Sequence, residues 1–141
     1  MIADYMQAPP SELADVLAAH SYEFGGSEPV TAQDILDRLG RGDAELVRFE
    51  CGVALMQGAS RPSRHLWLLF VDPSARGCGH GRAYMREIII RYADTHYMTL
   101  NCSTKLRPFY GRLGFRVQSR GADFRTMQGP YRRGEPSSWL R

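Results

Sequence analysis

The stretch that decides the fold is VDPSARGCGHGRAYM, Val71 to Met85. An apolar run, HLWLLFV (His65–Val71), enters a turn at Asp72-Pro73. Glycines then fall at every second position, Gly77, Gly79 and Gly81, fenced by Arg76 and Arg82. Glycine is costly to order and weak in helices, so three of them at the mouth of a helix need a reason. The first-turn amides of a helix have no internal acceptor and carry the positive end of its dipole. A phosphate can reach them only where no side chain intervenes. Strand, glycine turn and helix in that order therefore predict a phosphate-holding turn. The spacing Arg-x-x-Gly-x-Gly is not a P-loop, which needs Gly-Lys-Ser/Thr, nor the dinucleotide fingerprint, whose third glycine comes later.

Outward from this turn, GRAYMREIIIRYADTH sets Met85, Ile88, Ile89 and Tyr92 on one helical face. HLWLLFV is continuous enough to be a central strand buried on both faces. Upstream, AELVRFE and VALMQGA flank Cys51-Gly52 as a hairpin. Before them, SELADVLAAH puts Leu13, Val16 and Leu17 on one helical face. Thr31 caps TAQDILDRLG, with Gly40 as its stop. MIADYM is a poor strand. Downstream, YMTLNCS is a short strand, and RPFYGRLGF is a short helix with Pro108 in its first turn and Gly114 at its end. FRVQSRG and DFRTMQG close as an antiparallel pair. One middle helix joins two strands that must lie parallel. The order predicts an α+β fold: a mixed, mostly antiparallel central sheet flanked by helices on both faces. Residues 1–128 are expected to form a single domain, and 129–141 a polar tail.

The whole chain sets bounds on this reading. Its 141 residues suit one domain, long enough to bury roughly two-thirds of its unfolded surface without staples. A net charge of +3 suits an anionic ligand and is too small to argue for nucleic acid. Lys105 is the only lysine, so arginine carries nearly all the positive charge, through either a preference for phosphate or compositional bias. Cys51, Cys78 and Cys102 are widely separated, so no metal site is expected. An odd cysteine count without a secretory start fits a cytoplasmic protein. The longest apolar run is too short to span a bilayer, so no membrane partner is expected. Exposed strand edges leave a homodimer open.

At the glycine turn the sequence resembles the GNAT superfamily of acetyl-CoA-dependent N-acetyltransferases, whose first signature is Arg/Gln-x-x-Gly-x-Gly/Ala after a central strand. RPFYGRLGF, Arg107 to Phe115, resembles the second signature, Phe-Tyr-x-x-x-Gly-Phe, at a typical distance downstream. The two span about a third of the chain. The resemblance implies that acetyl-CoA is the co-substrate. Its pyrophosphate would be held by Arg76, Gly77, Cys78, Gly79, His80, Gly81 and Arg82, largely through backbone N–H groups. Its pantetheine arm would pair with the backbone of Phe70 and Val71. His80 departs from the family, which carries an aliphatic residue there; it either packs inward or contacts phosphate. Ser103 stands at about the offset where the family often has a cofactor-contacting asparagine, and Asn101 lies nearby.

The implied chemistry moves an acetyl group to a small-molecule or peptide amine. Neutralising a lysine-like amine costs about 4 kcal/mol at neutral pH, so a base or a chain of waters must take its proton. His65 occupies the place where some family members carry a base glutamate; the alternative is a strand-end histidine facing solvent. Glu50 and Asp72 are weaker choices. The oxyanion needs donors, and backbone N–H groups where the central strand splays, near Phe70 and Val71, are candidates. The resemblance gives Tyr110 the role of general acid toward the leaving thiolate; the alternative is packing beside Phe109 and Phe115. Two other readings remain open. One is a toxin-like enzyme acting on aminoacyl-tRNA through RPSRH, GRLGFRVQSR and YRRG. The other is a non-catalytic acetyl-CoA-binding module. In this fold the acceptor cleft is expected to be lined by the first two helices, their loop SYEFGGSEP and the last hairpin, where Glu23, Glu28 and Asp34 either attract a cationic amine or are solvated surface acids.

Overall fold

The computed structural model describes residues 2–21, 30–58, 64–92, 98–120 and 124–131. Glu23, Glu28, His96, most of SYEFGGSEP, most of RPSRH and most of the tail lie outside the described residues. Helices α1 (Pro10–Ala19) and α2 (Ala32–Gly40) precede the hairpin β1 (Ala44–Phe49) and β2 (Gly52–Gln57). Strand β3 (Arg64–Val71), helix α3 (His80–Arg91) and strand β4 (Met98–Ser103) follow. Helix α4 (Arg107–Gly111) and the pair β5 (Arg116–Arg120) and β6 (Phe124–Gly129) complete the order. The six strands form one sheet in the order β1-β2-β3-β4-β6-β5. Only the β3–β4 pair is parallel. That is the mixed sheet the sequence predicts, and α3 is the crossover that makes its parallel pair.

Local chemistry explains most elements. Thr31 Oγ1 accepts from the Asp34 N–H at 3.1 Å and starts α2. The helix runs through Gly40 rather than stopping before it; the Asp43 N–H closes its last turn on the Arg38 carbonyl at 2.9 Å. Pro108 sits in the first turn of α4. No strand precedes α1 among the described residues, yet Ile2, Tyr5 and Ala8 are buried against the sheet. Gly129 ends β6, and Tyr131 beyond it is buried, its N–H donating to the Gly114 carbonyl at 2.8 Å.

Each sheet face carries its own core. On one, Met85 and Ile88 of α3 and Tyr92 just past its end pack with Ala54, Met56 and Leu100. On the other, Leu13 and Leu17 of α1 and Ile35 of α2 cover Val53, Leu55, Leu68 and Phe70. A fully buried aliphatic side chain such as Ile88 contributes about 1.5–3 kcal/mol.

The strand buried through both faces is β2, not β3 as expected. Two irregularities in β3 explain the difference. Leu55 pairs with Leu68 and Met56 with Leu66, so Trp67 is the extra residue of a β-bulge. The bulge resets the alternation. Leu66 packs with α3, while Leu68 and Phe70, of the same parity, pack with α1 and α2. In addition, β3 pairs with β4 only at Arg64–Met98, His65–Thr99 and Leu66–Leu100. Beyond Leu66 the two parallel strands part, and the alternate residues Trp67, Leu69 and Val71 border open space instead of a neighbouring strand.

Candidate active site

The parting strands open a cleft of about 690 Å³. One wall is the free edge of β3 from Leu66 to Val71. The other is the end of β4, Asn101 to Ser103, with Phe109 and Tyr110 of α4. The glycine turn and the first residues of α3 close one end.

The turn has the geometry its glycines require. Gly77 and Gly79 have φ of +83° and +85°, the left-handed region that disfavours side chains. A Cβ at either would meet nothing within 4 Å, so the space before the backbone is open. Gly79 is the N-cap of α3, and no side chain caps the helix. The first helical bond runs from the Ala83 N–H to the Gly79 carbonyl at 3.1 Å. Among the described residues, the N–H groups from Gly77 to Arg82 have no backbone acceptor. These donors and the positive end of a twelve-residue helix face the cleft together. A diphosphate fits this cradle.

The turn is held from below. Asp72, buried at the end of β3, accepts from the Ser74 N–H at 3.0 Å, the Ser74 hydroxyl at 2.6 Å and the Tyr5 hydroxyl at 2.6 Å. These bonds, those of Ser74 first, hold its carboxyl below the usual range, so it is a committed anion rather than a base. Arg76 Nε donates to the Val71 carbonyl at 2.9 Å, and its guanidinium lies 5.4 Å from the Phe70 ring centroid. Tyr84 stacks on Phe49 at 4.0 Å and accepts from the Cys51 N–H at 2.9 Å, which fixes the start of α3 against the β1–β2 hairpin.

Tyr110 lies across the cleft from the β3 edge. Its ring packs edge-on to Phe109 at 4.9 Å and to Phe115 at 6.0 Å. The residue is buried yet lines the cleft, and its hydroxyl has no hydrogen-bond partner among the described residues. Burial, with a smaller contribution from Cys102, pushes its phenol well above the ordinary tyrosine value. It stays protonated throughout the neutral range.

Of the residues expected at the site, Val71, Arg76, Gly77, Gly79, His80, Gly81, Arg82, Ser103 and Tyr110 line this one cleft. His80 also tilts toward the Tyr84 ring at 5.7 Å, so it both borders the cleft and packs. Three stand outside the lining. Phe70 turns its side chain into the opposite core beside His20. Cys78 is exposed and is not part of the lining. His65 lies in the paired part of β3, one residue before the strands part, with Nδ1 2.8 Å from Thr99 Oγ1. Burial lowers its pKa below 6.5, so its ring is neutral at pH 7. β3 and β4 pair no further than Leu66, so the edge of β3 left free of β4 runs from Trp67 to Val71 and includes the expected Phe70 and Val71. Trp67, Leu69, Lys105, Leu106 and Phe109 also line the cleft and were not anticipated. Of these, Lys105 is the chain's one lysine and Phe109 belongs to the second signature; the others carry no signal in the sequence. Among the described residues no three His, Cys, Asp or Glu are grouped to hold a metal ion. No described helix is long and apolar enough to cross a membrane.

Residues 42–127 match the family described as Acetyltransferase (GNAT) domain, more than half of the chain. The protein belongs to the GNAT acetyltransferase family. Over 58 residues it is 40% identical to the glucosamine 6-phosphate N-acetyltransferase of Trypanosoma brucei brucei; that stretch is 40% of each chain. An acetyltransferase from Thermus thermophilus superposes with a TM-score of 0.64 at 17% identity, covering 88% of this chain and 94% of that one. The yncA protein of Salmonella typhimurium, solved with its cofactor acetyl-CoA, superposes with a TM-score of 0.58 at 19% identity, covering 91% and 90%. At these identities the likeness is one of fold. In this GNAT member, the two signatures read from the sequence form the turn at one end of the cleft and the wall opposite β3.

Proposed function

We propose that the protein is an acetyl-CoA-dependent N-acetyltransferase in which a primary amine attacks the thioester directly. One observation carries this reading. One open cleft is bordered by bare helix-terminal donors, by a protonated phenol with no partner among the described residues, and by the free edge of β3. The amides from Gly77 to Arg82 would hold the diphosphate, with Arg82 and Lys105 adding positive charge and Ser103 a hydroxyl. The edge of β3 up to Phe70 and Val71 would pair with the amide-bearing arm as an added strand would.

The transfer is then divided among this chain's own groups. The amine nitrogen forms a bond to the carbonyl carbon as the π pair moves to oxygen. Backbone N–H groups at the parting of β3 stabilise that oxyanion, and donors of this kind contribute about 3 kcal/mol. As the C–S bond breaks, Tyr110 delivers its proton to sulfur and regains one from solvent. The amine's proton leaves through water toward His65, whose neutral ring can accept at Nε2 in the tautomer whose Nδ1–H donates to Thr99 Oγ1, 2.8 Å away. Amine and thioester become amide and thiol, with no proton unaccounted for.

The acceptor is proposed to be a small amine. Support comes from the trypanosomal relative, whose name gives glucosamine 6-phosphate as its substrate. The test is thiol release from acetyl-CoA across a panel of amines, with mass spectrometry of the products. An acetylated amine is expected. A folded protein that takes up neither coenzyme A nor acetyl-CoA in calorimetry would end the proposal.

A further inference from the structure

We infer that the amine acceptor carries an anionic group, a carboxylate or a phosphate, and that Arg38 binds it at the end of the cleft remote from the glycine turn. The inference rests on the acetyltransferase reading above and specifies its substrate. Its first support is the charge of the cleft. Among the described residues that line it, Arg76, Arg82 and Lys105 are cationic and none is Asp or Glu. Those cations stand toward the glycine turn, where the diphosphate would offset them, and a polycationic acceptor would find no carboxylate among the described lining residues to offset the charge it brings out of water.

The second support is the placement of Arg38. Its guanidinium lies over the Trp67 ring, 5.1 Å from the centroid. Trp67 is the bulge residue where β3 and β4 part. It lines the cleft and packs toward the α1–α2 side of the sheet. Arg38 is not itself among the residues lining the cleft; it borders the cleft through Trp67, the lining residue whose ring it covers, on the part of β3 away from the glycine turn. It is half-buried, and among the described residues it has no carboxylate partner. The nearest acid in sequence, Asp37, accepts from Gln33 Nε2 at 2.8 Å instead. Stacking uses only the flat face of a guanidinium. Its N–H donors lie in the plane and can take a carboxylate or phosphate in a two-point contact. The indole beneath fixes that plane in advance, which lowers the ordering cost of binding.

The experiment uses matched amine pairs that differ in one charged group: glucosamine 6-phosphate with glucosamine, and alanine with alaninamide. For at least one pair, the anionic member is expected to be acetylated with a kcat/KM about tenfold or more above its neutral partner. Arg38→Leu should erase that advantage while the neutral member stays within about twofold; Arg38→Lys should keep part of it, since a point charge retains attraction without the fork. The two pairs distinguish phosphate from carboxylate. Calorimetry of the same compounds into coenzyme A-saturated protein reads the preference even where no acetyl group moves, and coenzyme A uptake by each variant verifies its fold. Equal or better binding and turnover of the neutral members, or a preference that survives Arg38→Leu, would overturn the inference. Preferential binding without any transfer would leave it standing and remove only the catalytic reading.

Discussion

Tyr110 is the residue on which the proposed chemistry turns. Tyr110→Phe keeps the ring between Phe109 and Phe115 and removes only the hydroxyl. Turnover is expected to fall by about 10²-fold or more, the scale of a lost general acid, with the KM for acetyl-CoA nearly unchanged. Steady-state kinetics measures both, and full turnover in the variant would remove the role. His65 makes a pH prediction. Burial disfavours its imidazolium, so its folded pKa lies below the ordinary 6.5. A histidine lowered in this way contributes stability that is fully present above that value and lost as pH falls below it. If the ring also takes the amine's proton, kcat/KM declines over the same acid range. His65→Gln should flatten the acid limb of both the stability curve and the rate profile. Flattening of stability alone would leave water as the only proton carrier. Gly79 makes a third. Gly79→Ala meets no atom but must hold φ at +85°, costing about 1–2 kcal/mol in backbone strain. We expect a modest drop in melting temperature and a larger drop in coenzyme A affinity by calorimetry.

At the scale of elements, the phosphate turn depends on a segment far from it in sequence. Tyr5, in the irregular stretch before α1, donates to Asp72, and Arg48 of β1 holds that stretch by bonds to the Tyr5 and Ala8 carbonyls at 3.0 and 2.6 Å. The N-terminal segment thus buttresses the junction of β3 and the turn from beneath. Asp72→Asn keeps the shape but cannot accept all three hydrogen bonds as an anion. Bonds of this charged kind are worth about 1.5–3 kcal/mol each, so a loss of about 2 kcal/mol is expected in denaturant unfolding at pH 7. The carboxyl is held low in the fold, so its stabilisation is fully present above the ordinary Asp value and disappears as pH falls through and below it. The wild type and the Asn variant should therefore converge in stability toward strongly acidic pH. A difference that persists there would point to packing rather than charge.

At the scale of the whole molecule, the functional feature is a sheet that fails to close. β3 and β4 pair for three residues and then separate, and the missing ladder is the proposed binding cleft. Coenzyme A at a hundred times its dissociation constant should raise unfolding free energy by about 2.7 kcal/mol. Hydrogen exchange should show the gain in protection concentrated at Gly77–Arg82 and along the free edge of β3. A uniform gain would argue against an added-strand contact. Much of this architecture was legible from the chain alone, because it rests on short-range rules. Thr31 caps α2 with a bond to a residue three positions away, the glycine turn is a local backbone requirement, and strand and helix periods are visible within ten residues. Tyr110 was singled out differently, by the resemblance of RPFYGRLGF to the family's second signature, and not by a local rule. What only the tertiary structure decided depends on pairings between distant segments. A one-residue bulge at Trp67 exists only relative to β2. The parting after Leu66 exists only relative to β4. Arg38 finds Trp67 across the fold rather than along the chain. Local pattern reports what a segment prefers by itself; register, and the space left where register ends, are properties of two segments at once.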